Sequence, residues 1–524
     1  MTELSDTEVF VLDCQSTGAT PELGDLLELG WTVTAGADRG EPVRAHWIVP
    51  RSGRRVPRIV RELTGFKDDC LATALPPEDC WTLLANDVTA HGGQARAVIH
   101  FAHFELAFLR DLHSRAGHGS EFPFDAVCLH AIARRLYPDL ARRSLRALAG
   151  MHGFPADLVR RSEGHVKATA HLWRALIPEL DKRGVHTWDD LHRWLEEPAP
   201  KRTKRRYPLP PEKRRQLPKG PGVYRFLRSN GDILYVGKAT SLKQRVSSHF
   251  SSANRATERA LEMLTQVSDI AVTKTESVLE AALLEHGEIM RIDPPYNVAL
   301  RDGDRSAYFA SDDLLRTAPA PDERHRIGPL PSRWSVAGLG AIRALASGSE
   351  PTSDLRARAT AVPNAFAPDE ATFAAGWEKF LAAPGETGGE NDDPDEEPSA
   401  GDAAPPSGWD TARVQRHLDR AWLGGRRLVR RSRWLTALAD SIVVFREADD
   451  IRRRRIVIAR GEIASITDDD SSVPLEMPER STVSFDRSAY DRLRVLVTEL
   501  ARVLGEGGDV IVHVRRHRIV LRRT

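Results

Sequence analysis

The segment that decides how this chain is read runs GVYRFLRSNGDILYVGKATSLKQRVSSHF from Gly222 to Phe250. It closes with VLEAALLEHGEIMRIDPPYN from Val278 to Asn297. Two β-rich runs flank Ser229–Asp232, and Asn230-Gly231 predicts a hairpin closed by a type I′ turn. A helix is predicted next: Leu242, Val246 and Phe250 recur at i, i+4 and i+8, and Arg245 and His249 share the neighbouring stripe. Val278–Ile292 predicts a second helix, stopped by Pro294-Pro295. Glu285 falls on its apolar stripe with Ala281, Ala282, Ile289 and Ile292, where a carboxylate is costly to bury without a cation.

Taken singly, each polar group here has an ordinary reading. Tyr224 and Tyr235 are strand aromatics, Lys238 and Arg245 surface charges, and His249 a satisfied helix histidine. Glu285 is a solvated residue at the edge of its stripe, and Asn297 a turn cap. In this order and spacing, however, PGVYRF, ILYVGKATSLKQRVSSHF, TKTESVLEAALLE and PPYNVALRD resemble the GIY-YIG nucleases. The resemblance is nearest to the N-terminal incision domain of UvrC and its single-domain relative Cho, and spans about residues 218–310. It implies an α+β endonuclease domain with Tyr224, Tyr235, Lys238, Arg245, His249, Glu285 and Asn297 as its catalytic set. Tyr235 would take a proton from the attacking water. A free tyrosine has a pKa of about 10, so nearby positive charge, Lys238 and a metal, must help it. Arg245 would hold the scissile phosphate and Glu285 a Mg²⁺ or Mn²⁺ ion. Asn297 would support the site by hydrogen bonding. His249 stands where UvrC-type proteins commonly carry tyrosine and other GIY-YIG enzymes histidine, so proton shuttle and phosphate contact both remain open for it.

Upstream, VFVLD at Val9–Asp13 is a continuous apolar run and reads as a buried strand. LLELGWTVTAG and VRAHWIVP predict two more strands, and Ala97–His100 a fourth. Helical patterns fall around Arg61–Thr64, Glu78–Asn86, Phe104–Ala116 and Leu145–His152, which together give an α/β domain. DCQSTG, LLELGW, HFAHFELAFL, FDAVCLHAIARRLYPDLARRSLRALAG and HVKATAHLWRAL resemble the proofreading exonucleases of the DNA polymerase III epsilon type, which have a ribonuclease-H-like fold. That family holds two divalent ions on four carboxylates. By position, Asp13 and His165 persist here, Glu105 replaces an aspartate and keeps a carboxylate on a longer arm, Gln15 and Ala170 replace two carboxylates, and Phe101 replaces an asparagine. The resemblance therefore implies a degenerate exonuclease domain; residual activity would need another ligand such as Glu163.

Between these parts lies a proline-rich basic connector with Lys201, Arg202, Lys204, Arg205 and Arg206, expected to bind nucleic acid or simply to be solvated. Its prolines predict neither helix nor central strand. Downstream, a loop and helix follow, then a helical run at 369–383 and an acidic low-complexity segment, 385–408, expected to be a disordered linker. A basic module comes last. A long helix at Trp409–Ala439 is expected to break at Gly424-Gly425. Strands are expected at Ser441–Arg446, Arg455–Ala459 and Asp509–Leu521, with a helix at Tyr490–Leu504. Its arginine faces read as DNA contacts or as solvated charge.

The chain has 524 residues, and 75 basic side chains nearly cancel 74 acidic ones, so net charge says nothing of partners. Four cysteines without paired spacing fit a reducing compartment. No run approaches the roughly 20 apolar residues of a membrane span, and the N-terminus has no signal-like region. A cytoplasmic protein is expected, without a membrane partner. The expected organisation is multidomain, α/β and α+β: an exonuclease-like domain at 1–195, a basic linker at 196–217 and a GIY-YIG domain at 218–310. A helical extension at 311–384, the acidic linker at 385–408 and a small α+β module at 409–524 follow. The expected function is a metal-dependent DNA endonuclease in nucleotide excision repair, with damage-recognition proteins as partners. Neither the second catalytic domain of UvrC nor its tandem helix-hairpin-helix pattern is matched, which implies one incision per encounter. The alternatives are a non-catalytic DNA-binding scaffold and a bifunctional endonuclease with 3′–5′ exonuclease activity.

Overall fold

The computed structural model describes residues 2–521 apart from 37–40, 52–54, 117–120, 156–158, 202–204, 252–256, 299–306, 383–407, 449, 471–475, 479–486 and 515–516. The chain divides into two compact units. One comprises Met1–Thr275 with Pro294–Val298, the other Glu276–Asp293 with Ala299–Thr524.

The first unit begins with five strands, β1 (Val9–Ser16), β2 (Leu26–Thr34), β3 (Arg44–Trp47), β4 (Ala95–Ile99) and β5 (Phe124–Cys128), in the order β3-β2-β1-β4-β5. β1 is antiparallel to β2 and parallel to β4, so it lies at the centre of a mixed sheet. Its unbroken apolar run follows from burial on both faces. Val9 and Val11 join the core under the helix Ser162–Asp181, while Phe10 and Leu12 point the other way, to the helices Pro77–Ala90 and Ala102–Arg115. This is the α/β domain that the N-terminal sequence predicts.

The same unit carries a second sheet, β6 (Gly222–Leu227), β7 (Ile233–Ala239) and β8 (Asp269–Lys274), antiparallel throughout with β6 central. The helix Leu242–Ser251 covers it, burying Leu242, Val246 and Phe250 as its stripe predicts. The helix Glu258–Gln266 binds this sheet to the N-terminal layer. Arg142 donates to both oxygens of Glu258 at 2.8 Å, and Ser144 donates to Glu262 at 3.1 Å.

Two local expectations change here. The hairpin turn is not type I′, because Gly231 has φ 90° while Asn230 does not have positive φ. Gly231 N–H bonds to Arg228 C=O and Arg228 N–H to Asp232 C=O, a three-residue loop with its left-handed glycine in a bulge. The proline-rich connector also holds a short helix, Pro211–Arg215. Pro211 stands at the first helical position, where the missing N–H costs nothing.

The second unit has a small sheet of β9 (Tyr308–Ser311), β10 (Thr317–Ala318) and β11 (His325–Leu330), none foreseen, in the order β10-β9-β11. Its larger antiparallel sheet contains β12 (Ser441–Arg446), β13 (Arg454–Ala459), β14 (Glu462–Asp468), β15 (Asp509–Val514) and β16 (His517–Leu521), ordered β14-β13-β12-β15-β16. The expected single strand Asp509–Leu521 is thus two paired strands. The helix Thr411–Leu438 runs unbroken through Gly424-Gly425. A Cβ at Gly425 would stand 2.5 Å from the Leu339 Cβ, so this glycine admits a neighbouring helix rather than ending its own. Most of the acidic segment, 383–407, lies outside the described residues. No helix among the described residues is long and apolar enough to cross a membrane.

Candidate active site

The register of β6 with β7 sets Tyr224 opposite Gly237 and Phe226 opposite Tyr235. Residues opposite each other, and residues two apart on one strand, share a face. Tyr224, Phe226, Tyr235 and Gly237 therefore lie together beneath the helix Leu242–Ser251. Gly237 is required for room, since a Cβ there would lie 2.5 Å from the Tyr224 Oη and 2.7 Å from the Tyr235 ring. The vacancy lets the tyrosine rings approach to 6.0 Å between centroids, with His249 at 5.7 Å from Tyr224 and 5.9 Å from Tyr235.

Tyr224 is fully buried, and its Oη lies 2.7 Å from His249 Nε2. Burial pushes the Tyr224 hydroxyl far above the usual tyrosine range; Tyr235 adds to this and Arg245 opposes it. Burial, and then Arg245 one turn earlier on the helix, lower His249 to about 4. At neutral pH the pair is thus a phenol and a neutral imidazole, able to pass one proton between them according to the histidine tautomer. Tyr235 is only half-buried, and Arg245 is exposed. Of the two signature tyrosines, Tyr235 can meet solvent and Tyr224 is its sealed neighbour. Lys238, next but two along β7, is half-buried.

Asn297 grips the outer edge of β7. Its Oδ1 accepts from Val236 N–H at 3.0 Å, and its Nδ2 donates to Val236 C=O at 2.9 Å. Tyr296 N–H bonds to Leu234 C=O in the same way. The Tyr296 hydroxyl is held by Glu262 at 2.8 Å and by Gln266 at 2.5 Å. Strand β7 is therefore fixed between β6 and an asparagine, with Tyr235 and Gly237 on either side of the gripped residue. Nothing in the sequence identified Gly237 as the spacer for the rings, or Gln266 and Glu262 as the brace behind Asn297; the YVG motif was the one available signal.

Glu285 lies on the helix Val278–Ile292, which belongs to the second unit. It is half-buried, whereas the buried polar residues of that helix are His286 and Glu288. The predicted apolar stripe is buried at Ala281, Ala282 and Ile289, with Glu285 half-buried beside them. Packing on the helix Arg487–Gly505, which the sequence does not reveal, sets that face. The first unit therefore assembles Tyr224, Tyr235, Arg245, His249 and Asn297, and Glu285 is carried by the second.

The N-terminal sheet bears a second cluster of candidates, at the end of β1. Asp13 Oδ1 lies 2.9 Å from His165 Nδ1, and Oδ2 accepts from Ser162 at 2.7 Å and from Gln15 at 2.9 Å. Burial alone would raise the Asp13 carboxyl, but His165, Ser162 and Gln15 together hold it below the usual range. Burial also opposes a charged His165, and Asp13 overcomes it and raises the imidazole. Glu105 accepts from Cys14 N–H at 3.1 Å, and burial, with Asp13 nearby, pushes it well above the usual carboxylate range. Ala170 is packed in the core. The exposed Glu163 is paired with Lys167. Among the described residues, no group of three or more His, Cys, Asp or Glu side chains is placed to hold a metal ion.

Of the connector residues, Arg202 and Lys204 lie outside the described residues. Arg206 is tied to Asp139, by backbone at 2.8 Å and side chain at 3.6 Å. Lys201 is exposed and Arg205 half-buried. Further on, Lys213 pairs with Asp269 at 2.8 Å and the Arg214 guanidinium lies 4.3 Å from the Phe250 ring centroid. Part of this positive charge therefore attaches the connector to the sheet it precedes.

Residues 220–298 match the family described as the UvrC-like GIY-YIG domain. A Mycobacterium tuberculosis protein, named as a bifunctional exonuclease/endonuclease, is 29% identical over 361 residues, covering 66% of this chain and 53% of the relative. The UvrABC system protein C of Legionella pneumophila is 39% identical over 137 residues, 24% of this chain and 21% of its own. The GIY-YIG N-terminal endonuclease domain of UvrC from Thermotoga maritima, solved with magnesium, is 31% identical with a TM-score of 0.15, covering 17% of this chain and 93% of that domain. The chain thus spans about half the length of the mycobacterial relative and about a fifth of the UvrC protein. Residues 220–298 are a UvrC-like GIY-YIG domain.

Proposed function

We propose that this protein is an endonuclease that cuts a DNA phosphodiester strand at the face shared by Tyr224, Tyr235 and His249. The observation that carries this reading is the 2.7 Å contact between Tyr224 Oη and His249 Nε2, beside a half-exposed Tyr235 and under Arg245. Tyr235 is the residue placed to take the proton of an attacking water. Its neighbour Tyr224 and the neutral His249 form a two-member relay behind it. Arg245 offers a planar fork for the phosphate and offsets the charge that builds on it. Lys238 adds a second positive charge, and Asn297 holds the strand that carries Tyr235.

Glu285 is the residue we assign to a Mg²⁺ or Mn²⁺ ion, on the strength of its position in the motif. Such hard ions favour carboxylate oxygen and commonly bind through one or two carboxylates with waters and substrate phosphates. When bound, such an ion polarises the phosphate and stabilises the leaving oxygen.

The resemblance to UvrC supports a place in nucleotide excision repair, alongside damage-recognition proteins. For the N-terminal fold we propose no cutting role: Asp13 has three protein donors on its two oxygens, and a methyl group stands at Ala170. The fold would instead serve as the body to which the GIY-YIG sheet is fastened. The test is nicking of supercoiled plasmid, ultraviolet-irradiated or not, with Mg²⁺ or Mn²⁺. Wild type and Asp13→Ala should nick alike; Tyr235→Phe and Glu285→Ala should not. Nicking that survives both of the latter substitutions overturns the assignment.

A further inference from the structure

Arginines of the second unit commonly face carboxylates: Arg452 meets Glu276 at 3.0 Å, Arg454 meets Glu280 at 2.7 Å and Arg492 meets Glu462 at 2.7 Å. One cluster differs. Arg426, Arg430 and Arg433, at i, i+4 and i+7 on the helix Thr411–Leu438, line a groove of about 490 Å³ with Arg343, Trp434 and Ile519. Among the described residues, none of these four arginines makes an ion pair. Like charges three and four apart on a helix repel, so the arrangement costs stability that no ion pair among the described residues offsets. All four arginines are exposed, while Trp434 is half-buried in the groove wall and Val429 is buried beneath. Concave walls of low polarity focus the field of such charges.

The spacing indicates what fits. Seven helical residues separate Arg426 from Arg433, a rise of about 10 Å. Long arginine arms spread over that rise can meet about three neighbouring phosphates of one flexible strand. Guanidinium forks bind phosphate oxygens in pairs, and an indole offers a face on which a base can stack. A duplex hides its base faces, whereas a single strand presents them. We infer that the groove of Arg343, Arg426, Arg430, Arg433 and Trp434 is a binding site for single-stranded nucleic acid. It grips the strand by its phosphates and stacks a base on Trp434. The inference does not rest on cleavage activity.

The test is fluorescence anisotropy with labelled oligothymidylate and oligouridylate. The full-length Tyr235→Phe protein is used in EDTA, so that binding is read without cleavage and independently of the nuclease assignment. The triple variant Arg426→Gln, Arg430→Gln, Arg433→Gln should raise Kd at least tenfold. It should also flatten the slope of log Kd against log salt by about two, since each single-strand phosphate contact contributes ~0.7. Trp434→Ala should weaken binding roughly tenfold and leave that slope unchanged, as expected for a stacking contact. A stronger effect on oligothymidylate than on oligouridylate identifies DNA as the strand, and the reverse identifies RNA. If circular dichroism shows the triple variant unfolded, Arg433→Gln and Trp434→Ala alone decide, each expected to weaken binding at least threefold. The inference is overturned if the folded variants bind within twofold of the parent. It is equally overturned if duplex binds as tightly with no effect of Trp434, or if polyglutamate or a phosphopeptide binds and the oligonucleotides do not.

Discussion

Replacing Gly237 with alanine tests the geometry of the tyrosine face directly. The new Cβ would lie 2.5 Å from the Tyr224 Oη, 2.6 Å from its ring and 2.7 Å from the Tyr235 ring. Ordinary van der Waals contact begins near 3.4 Å, so about 0.9 Å of separation must be found. Tyr224 cannot supply it, being fully buried with Phe226 and His249 against its ring. Strand β7 can retreat only by giving up hydrogen bonds to β6 or the pair from Asn297, each worth about 1 kcal/mol. Overpacking of this kind costs roughly 1–3 kcal/mol, and a misplacement near 1 Å at a reacting group can cost roughly a hundredfold in rate. Urea denaturation of Gly237→Ala should show a loss within that range, and plasmid nicking under folded conditions should fall at least tenfold. Stability within 0.5 kcal/mol of wild type (a change that surface substitutions commonly produce), together with nicking within twofold, would refute the reasoning. The rings would then not depend on the vacancy at Gly237.

Three further outcomes follow from the packing. His249 titrates near 4 in the folded chain and near 6.5 when unfolded, so the unfolded state binds more protons between those values. Its contribution to stability is complete above pH 6.5 and is lost as pH falls toward 4; urea midpoints should show this decline, and His249→Asn should flatten it. Asp13→Ala strips His165, Ser162 and Gln15 of their shared acceptor, and breaking a buried pair of this kind costs roughly 3 kcal/mol or more. Its melting temperature should drop while nicking at the folded plateau is unchanged. In the second unit, adjacent glycines should respond oppositely. Gly425→Ala meets Leu339 and should destabilise by roughly 1–3 kcal/mol. Gly424→Ala meets nothing within 4 Å and should stabilise by about 0.5–1 kcal/mol.

The candidate site was legible in the sequence to the extent that it is local. Tyr224, Gly237 and Tyr235 fall on a hairpin that announces itself by β-rich runs around a turn, and Arg245 and His249 on a helix whose stripe is plain. The turn was mistaken because Asn-Gly suits two hairpin geometries, and the number of loop residues, fixed by the register of Phe226 with Tyr235, chooses between them. A helical stripe names a face without naming what covers it, so the sequence leaves the burial of Glu285 open and packing half-buries it. The sequence does not announce the strands β5, β8, β9, β10, β11 and β14, because edge and short strands carry weak alternation.

What the sequence determined by itself was the inventory: a buried first strand, a hairpin and helix in GIY-YIG order, and two carboxylate positions of the exonuclease pattern taken by Gln15 and Ala170. Periodicity and spacing reach about as far as one element and its neighbour, and these facts lie within that reach. Tertiary structure alone decided how the groups are paired. It set Tyr224 against His249, 25 residues away, and turned Asp13 inward to Ser162 and His165 across some 150 residues. It also carried the helix of Arg426, Arg430 and Arg433 past Gly425 without a break. Each outcome depends on which side chains meet once distant segments pack, and that is settled by room, burial and available partners rather than by order along the chain.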